Sequence, residues 1–243
     1  MRVFRGREAS IAADREASQR LLSVAADGEQ AIRVWTPHRQ VAFGRRDARL
    51  EGYDRALEAA DGRGFPSIER SVGGRAVAYD GATTLAFARA EPVTDRRAGT
   101  TERYDRATAS LERALRTLGL EPSRGEPDDS FCPGTHSLSV TDASADGRRR
   151  KLVGIAQRVR SDAALVAGIA LVANRAELTD VLEAVYDALA VPLDPASVGT
   201  IAAAGGPSDP DTVRVALKEA LISDASDVSI ERIGDGREWS GVQ

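Results

Sequence analysis

Apolar residues recur along the chain in two rhythms. Between Ile11 and Ala25, residues Ile11, Ala17, Leu21, Leu22 and Val24 share a broad helical face. The same spacing predicts helices over Gly52–Ala60, ending at Asp61-Gly62, and over Thr101–Leu120, where Tyr104, Ala107, Leu111, Leu115 and Leu118 line up before Gly119. Further helices are predicted over Glu177–Ala190 and Thr212–Ile222. The shorter rhythm of strands appears at Ala31–Trp35 and Gln40–Gly44, read as joined by a turn at Pro37-His38-Arg39. It returns at Ser67–Arg70, Ala76–Tyr79, Thr84–Arg89 and Ser137–Val140. After a turn at Asp146-Gly147 come two long apolar strands, Lys151–Arg160 and Ala164–Ala173, and a last short strand is expected near the C-terminus.

Strands and helices are grouped instead of alternating strictly, which favours an α+β architecture of mixed, mainly antiparallel sheets over a doubly wound parallel sheet. Pro192 and Pro195 break the chain. We therefore expect a main domain over residues 1–195 and a short helical extension over 196–243 packed on it.

Composition narrows the function classes. The 243 residues carry a net charge of −4 and only 5% aromatics, which argues against a nucleic-acid surface. No apolar run is long enough for a membrane span, and Met1-Arg2-Val3-Phe4-Arg5 does not open a signal peptide, so a cytoplasmic location is expected. A single cysteine, Cys132, excludes an intrachain disulfide, and with two histidines a metal site is disfavoured. Of 33 basic residues only Lys151 and Lys218 are lysines, leaving 31 arginines. A lysine kept in such a chain invites the question of what arginine cannot do there.

Three segments carry candidate chemistry. Arg70-Ser71-Val72-Gly73-Gly74-Arg75-Ala76-Val77 is either an anion- or carbonyl-binding loop, with backbone N–H groups bared by paired glycines, or a tight turn with surface arginines. It matches neither a Rossmann fingerprint nor a P-loop. Lys151-Leu152-Val153-Gly154-Ile155-Ala156-Gln157 is either a pocket-edge strand, with Lys151 at the rim, Gly154 admitting a ligand and Gln157 facing it, or a core strand whose lysine reaches solvent. Ser130-Phe131-Cys132-Pro133-Gly134-Thr135-His136 holds either a loop nucleophile, with His136 as a possible contributor, or a small buried thiol.

Together these segments resemble the catalytic domain shared by lipoate–protein ligases, octanoyltransferases and biotin–protein ligases. The resemblance rests on Val41-Ala42-Phe43-Gly44, on Arg70–Val77 and on Lys151–Gln157 following Gly147 and three arginines, in that order between about Ala12 and Ala190. Gly73-Gly74-Arg75 and Phe131-Cys132-Pro133 are similar to the cysteine-dependent octanoyltransferase branch or the lipoate–protein ligase A-like branch. The chain departs from the family at Tyr79-Asp80, where His-Asp is common, and at Ala167-Gly168-Ile169, where His-Gly-Ser is frequent.

The resemblance implies transfer of an octanoyl or lipoyl group to a lysine of a lipoyl carrier domain through an acyl-enzyme. Cys132 would be the nucleophile and Lys151 its activating charge. Arg70, Gly73, Gly74, Arg75, Ala76, Val77, Gly154, Ala156 and Gln157 would bind substrate, and Leu152, Ile155 and Ala156 would line an acyl tunnel. Carriers would be lipoyl domains of 2-oxoacid dehydrogenases or the glycine cleavage H protein, with acyl carrier protein as a possible donor. Neither nucleic acid nor membrane is an expected partner. Transfer would need no cofactor. In the alternative, an ATP-dependent ligase working with Mg through lipoyl-AMP, Lys151 would hold phosphate and carbonyl oxygens, Arg70 and Arg75 the adenylate, and Cys132 would be structural. The second alternative is a non-catalytic binder of acyl groups or carrier domains.

Overall fold

The computed structural model describes residues 1–70, 74–95, 97–141 and 147–234. Its strands are β1 (Arg2–Arg5), β2 (Ala31–Trp35), β3 (Gln40–Phe43), β4 (Ser67–Glu69), β5 (Val77–Tyr79), β6 (Thr84–Pro92), β7 (Ser123–Arg124), β8 (Ser137–Thr141), β9 (Arg149–Val159), β10 (Ala163–Leu171) and β11 (Ser229–Arg232). The helices are α1 (Ile11–Ala26), α2 (Tyr53–Asp61), α3 (Thr100–Thr117), α4 (Arg175–Ala188) and α5 (Pro210–Ile222). The α+β reading holds. Eight strands form one sheet in the order β11-β1-β2-β6-β10-β9-β8-β7, antiparallel except where β1 pairs with β2 and β11. A second sheet of three strands runs β4-β3-β5.

Each sheet face is closed by the helix whose apolar stripe fits it. On one face of the large sheet, Leu111 and Leu115 of α3 and Val213, Leu217 and Leu221 of α5 pack on Ile32, Leu85, Phe87 and Val153. On the other, Ala17, Leu21 and Leu22 of α1 cover Phe4, Ala88 and Leu165. Each fully buried leucine of this kind stabilises by roughly 2 kcal/mol. Beside α1, the small sheet lies over the same face, backed by Ala56 and Ala60 of α2 and by Leu178, Val181, Leu182 and Val185 of α4. The segment beyond residue 196 supplies α5 to the first of these cores and β11 to the sheet edge. The expected Asp146-Gly147 turn includes Asp146, which lies outside the described residues.

Two local readings change. The strands flanking Pro37-His38-Arg39 do not pair with each other. β2 belongs to the large sheet and β3 to the small one, because the chain crosses between sheets there, with His38 Nε2 2.8 Å from the Glu8 carbonyl oxygen and the Arg39 guanidinium bonded to the Gly64 carbonyl. The N-terminal Val3 and Phe4, too short a run to register as a strand, are buried in β1.

Gly168 sits in the middle of β10, where a Cβ would overlap the Gly154 carbonyl oxygen and the Phe87 ring. Gly168→Ala should therefore cost about 2–4 kcal/mol in denaturant unfolding. Asp80 builds the turn from β5 to β6. Its Oδ1 accepts N–H bonds from Ala82, Thr83 and Thr84, and its Oδ2 accepts from Asn174 and the Thr83 hydroxyl. Burial opposes the charge, but these donors outweigh it and lower its pKa. The stabilisation is thus present above the ordinary carboxylate pKa of about 3.9 and lost as pH falls through the lower folded value. Asp80→Asn should lower stability near neutral pH by about 1–3 kcal/mol and flatten the acid limb of the stability–pH curve.

Candidate active site

A cavity of about 210 Å³ opens between the two sheets. Its floor is built from cross-strand rows of the large sheet: Ala86–Ile169–Gly154, then Ala88–Ala167–Ala156, then Leu165–Arg158. Apart from Ile169, the first two rows carry only alanine or glycine, which leaves a thin slot between the sheets. The roof is Gln40 and Ala42 of β3, Ile68 of β4, and Val77 and Tyr79 of β5. Ile11, Ser18 and Leu22 of α1 line one end, and Phe131, Cys132 and Arg70 the other.

Cys132 sits in the loop before β8 with φ +43°, a left-handed conformation that few non-glycine residues adopt. Its thiol accepts from the Arg70 guanidinium at 3.0 Å and from the Arg75 N–H at 3.3 Å. Both donors stabilise negative charge on sulfur. The Arg70 guanidinium also bonds the Arg75 carbonyl oxygen. Burial pulls the Arg70 pKa down, but the facing Cys132 sulfur and Tyr79 oxygen raise it overall. Gly74 is required here: φ is +103°, and a Cβ would lie 2.5 Å from an Arg70 nitrogen and 2.6 Å from the Cys132 sulfur.

The backbone under the thiol is held from two sides. The Cys132 N–H donates to the Tyr186 hydroxyl at 2.5 Å, and that hydroxyl donates to the Ala76 carbonyl at 3.0 Å. Burial, reinforced by Cys132, keeps Tyr186 protonated well above the usual tyrosine range. From below, the Lys151 ammonium donates to the carbonyl oxygens of Phe131 at 2.8 Å and Cys132 at 2.9 Å and to the Glu126 carboxylate at 2.9 Å. Glu126 also accepts from the Gly134 N–H and from the hydroxyls of Ser130 and Ser137. Lys151 is fully buried, with its ammonium 4.8 Å from the centre of the Phe131 ring.

A β-bulge sends Lys151 to this side. Val153 pairs with Leu138 and Lys151 with Ser139, so Leu152 is the extra residue. In a regular strand Lys151 would share the face of Val153 and Gln157. The bulge puts it beside Gly154, whose Cβ position is 3.5 Å from Lys151 Cε.

The sequence candidates divide. Arg70, Val77, Cys132, Gly154 and Ala156 line the cavity, while Ile155 borders it but packs its side chain against the core under α3 and α5. Gly74 and the Arg75 N–H adjoin the sulfur, while the Arg75 side chain pairs with buried Asp47 at 3.1 Å. Ala76 is buried and contributes its carbonyl to Tyr186. Lys151 reaches the Cys132 loop, but three bonds other than the thiol take up its ammonium, and Arg70 supplies the positive charge at the sulfur. Gln157 is not brought to the cavity: its amide accepts from Arg103 at 2.6 Å and donates to the Thr100 carbonyl on the α3 side. Leu152, expected in the tunnel wall, packs in the core under α3 and α5. His136 stacks on Tyr104 with ring centres 3.8 Å apart. Gly73 lies outside the described residues. Tyr79, in the family's usual histidine position, lines the roof, and burial, with Arg70 opposing and Cys132 adding, pushes its pKa up to about 12.

Sequence reasoning missed Glu126, Tyr186 and Asp47. Tyr186 was findable as the lone polar tip on the apolar face of α4. Glu126 gave no local signal in its polar loop.

A family model, the lipoyl protein ligase A/B catalytic domain, matches residues 11–222. The chain belongs to this family. Among relatives, an octanoyl-GcvH:protein N-octanoyltransferase from Exiguobacterium sibiricum is 32% identical over 139 residues, 56% of this chain and 46% of that protein. A lipoyl-GcvH:protein N-lipoyltransferase from Listeria monocytogenes is 24% identical over 127 residues, covering 52% and 43%. The chain spans about half the length of the curated relatives it matches. Lipoate-protein ligase A bound with ATP has the same fold, with a TM-score of 0.72 at 18% identity, over 97% of this chain and 89% of that one. So does the bipartite lipoate protein ligase of Thermoplasma acidophilum, with a TM-score of 0.67 at 17% identity, over 97% and 87%.

Glu126→Ala removes the anionic partner of a buried ammonium and frees the Cys132 loop. It should cost roughly 2–3 kcal/mol, discounted for the partial exposure of Glu126, in urea unfolding.

Proposed function

We propose that this member of the lipoyl protein ligase A/B family moves a medium-chain acyl group, octanoyl or lipoyl, onto a lysine of a lipoyl carrier domain through a Cys132 thioester. The observation that carries the reading is the Cys132 thiol at one end of a mainly apolar slot, held by the Arg70 guanidinium and the Arg75 N–H. Such a slot selects a thin hydrocarbon, and each buried methylene contributes about 0.8 kcal/mol.

In the first step Cys132 Sγ attacks the donor's acyl carbonyl carbon. The S–C bond forms, the donor's C–S or C–N bond breaks, and the leaving group departs with a proton. The oxygen that becomes negative is one bond from the carbon now joined to sulfur. The donors already beside the sulfur therefore lie within its reach. Gly74, through its lack of a Cβ, keeps that approach open. In the second step the carrier lysine's amine attacks, the C–N bond forms, the C–Sγ bond breaks, and the amine releases one proton to solvent. Lys151 acts here as a positioning residue that fixes the nucleophile loop. No ATP, Mg or other cofactor enters either step.

The relatives' names support the glycine cleavage H protein as one carrier, and an E2 lipoyl domain is named with the Thermoplasma ligase. We extend this to lipoyl domains of 2-oxoacid dehydrogenases as acceptors and to acyl carrier protein as a second donor. The ligase reading is less well supported, because Arg75 is committed to Asp47 and Arg70 to the thiol instead of facing open space for an adenylate.

Incubation with octanoyl-GcvH or octanoyl-acyl carrier protein, without ATP, should add one octanoyl mass to Cys132. Cys132→Ser should lose that adduct and slow transfer on the order of a thousandfold or more. A serine variant that transfers at full rate would overturn the acyl-enzyme. Attachment of free lipoate only when ATP is added would replace it with the ligase reaction.

A further inference from the structure

An acyl oxygen that turns negative at Cys132 calls for hydrogen-bond donors, and the loop that carries the thiol has few to give. The Cys132 N–H is engaged by the Tyr186 hydroxyl, Pro133 has no N–H, and the Gly134 N–H is engaged by Glu126. The Lys151 ammonium is taken up by two carbonyls and a carboxylate. Arg70 and the Arg75 N–H serve the sulfur itself, so each meets the acyl oxygen only as it lets the thiol go.

Tyr79 stands at this end of the slot with a donor that nothing occupies. By strand alternation it shares one side of β5 with Val77, and both line the roof. Tyr79 and Cys132 pack against the same core, the one between the small sheet, α2 and α4. The phenol oxygen is near enough to the Cys132 sulfur and the Arg70 guanidinium for each to act on the ionisation of the others. Among the described residues the Tyr79 hydroxyl has no hydrogen-bond partner, and it is not one of the polar atoms sealed inside the protein. With its pKa pushed up to about 12, chiefly by burial, the phenol is a donor at neutral pH. A donor that is unpartnered in the free protein stabilises a developing charge without first giving up a bond. The chain has tyrosine here, where its family commonly has histidine.

We propose that Tyr79 is a further catalytic residue of the transfer, the donor whose O–H hydrogen-bonds the acyl oxygen at Cys132. As Sγ adds to the carbonyl carbon, the carbonyl π pair moves onto oxygen and the phenol bonds it, keeping its own proton. The pair returns to the carbonyl as the donor's C–S or C–N bond breaks. The same hydrogen bond forms again when the carrier amine adds to the Cys132 thioester. Tyr79 belongs to the wall beside the acyl chain, whereas the leaving group departs on the side away from that chain, so the oxygen is the atom the phenol meets. This rests on the acyl transfer proposed above.

The test is single-turnover acylation of Cys132, read as the mass of the intact chain, with octanoyl-acyl carrier protein and octanoyl-GcvH each tried as donor. Tyr79→Phe keeps the ring and removes the hydroxyl: acylation should slow about a hundredfold, with little change in KM or melting temperature. A ring-fluorinated tyrosine placed at position 79 by codon suppression keeps the hydroxyl but makes it more acidic. It should acylate far faster than Tyr79→Phe and move the alkaline limb of the rate–pH profile to lower pH, because a phenolate cannot donate. A ring that only packs would leave that limb in place, whatever Tyr79→Phe does to folding. Acylation of Tyr79→Phe within about threefold of the unaltered rate overturns the inference, as does an alkaline limb that fluorination does not move. Either result, with the unaltered chain loading normally, sinks the role of Tyr79 alone. If neither donor loads Cys132 in the unaltered chain, the acyl-enzyme falls and this role with it.

Discussion

A buried ammonium bonded to two successive peptide oxygens is the constraint on which the site depends. Lys151 holds the carbonyls of Phe131 and Cys132 while Glu126 balances its charge. Those bonds keep the loop in the left-handed turn that faces the thiol toward Arg70. A lysine suits this place because its three N–H bonds splay from one nitrogen in three directions. The planar fork of arginine cannot meet two carbonyls and a carboxylate so arranged. In a chain with 31 arginines, that geometry accounts for one of its two lysines.

Charge and greasiness are separated along the slot. Positive donors gather at the thiol end, and Asp47, fully buried, fixes the base of that end by accepting from both Arg75 and the Gly44 N–H. The middle is lined by alanine, glycine and branched aliphatic residues from two sheets that belong to different cores. At the far side, buried Arg33 ties β2 to α1 through Asp14 and lies 4.2 Å from the centre of the Trp35 ring. The two ends are thus built by unrelated networks, and a change at one need not disturb the chemistry at the other.

Much of this was legible in the residues. The helix over Thr100–Thr117 and the long strands β9 and β10 follow directly from apolar spacing, and the glycine loop, Cys132 and Lys151 stand out in the sequence by residue type alone. What stayed hidden was phase and distance. Gln157 was expected to face a ligand because it alternates with apolar neighbours, but alternation does not say which of two buried faces holds the cavity. Leu152 turns into the core because a bulge changes parity without leaving a sequence mark. Glu126 meets Lys151 across 25 positions and Tyr186 meets Cys132 across 54, a proximity that only the packed sheets create.

The row Ala88–Ala167–Ala156 lies across the slot floor from three different strands. Each of its side chains ends in a single methyl aimed at the space an acyl chain would fill. The floor works as a ruler graduated in methyl groups: one alanine enlarged to valine shortens the usable length without touching the thiol, the arginine pair or the loop beneath them. Single substitutions in this row would thus reset the length of the slot while the groups around the thiol stay in place.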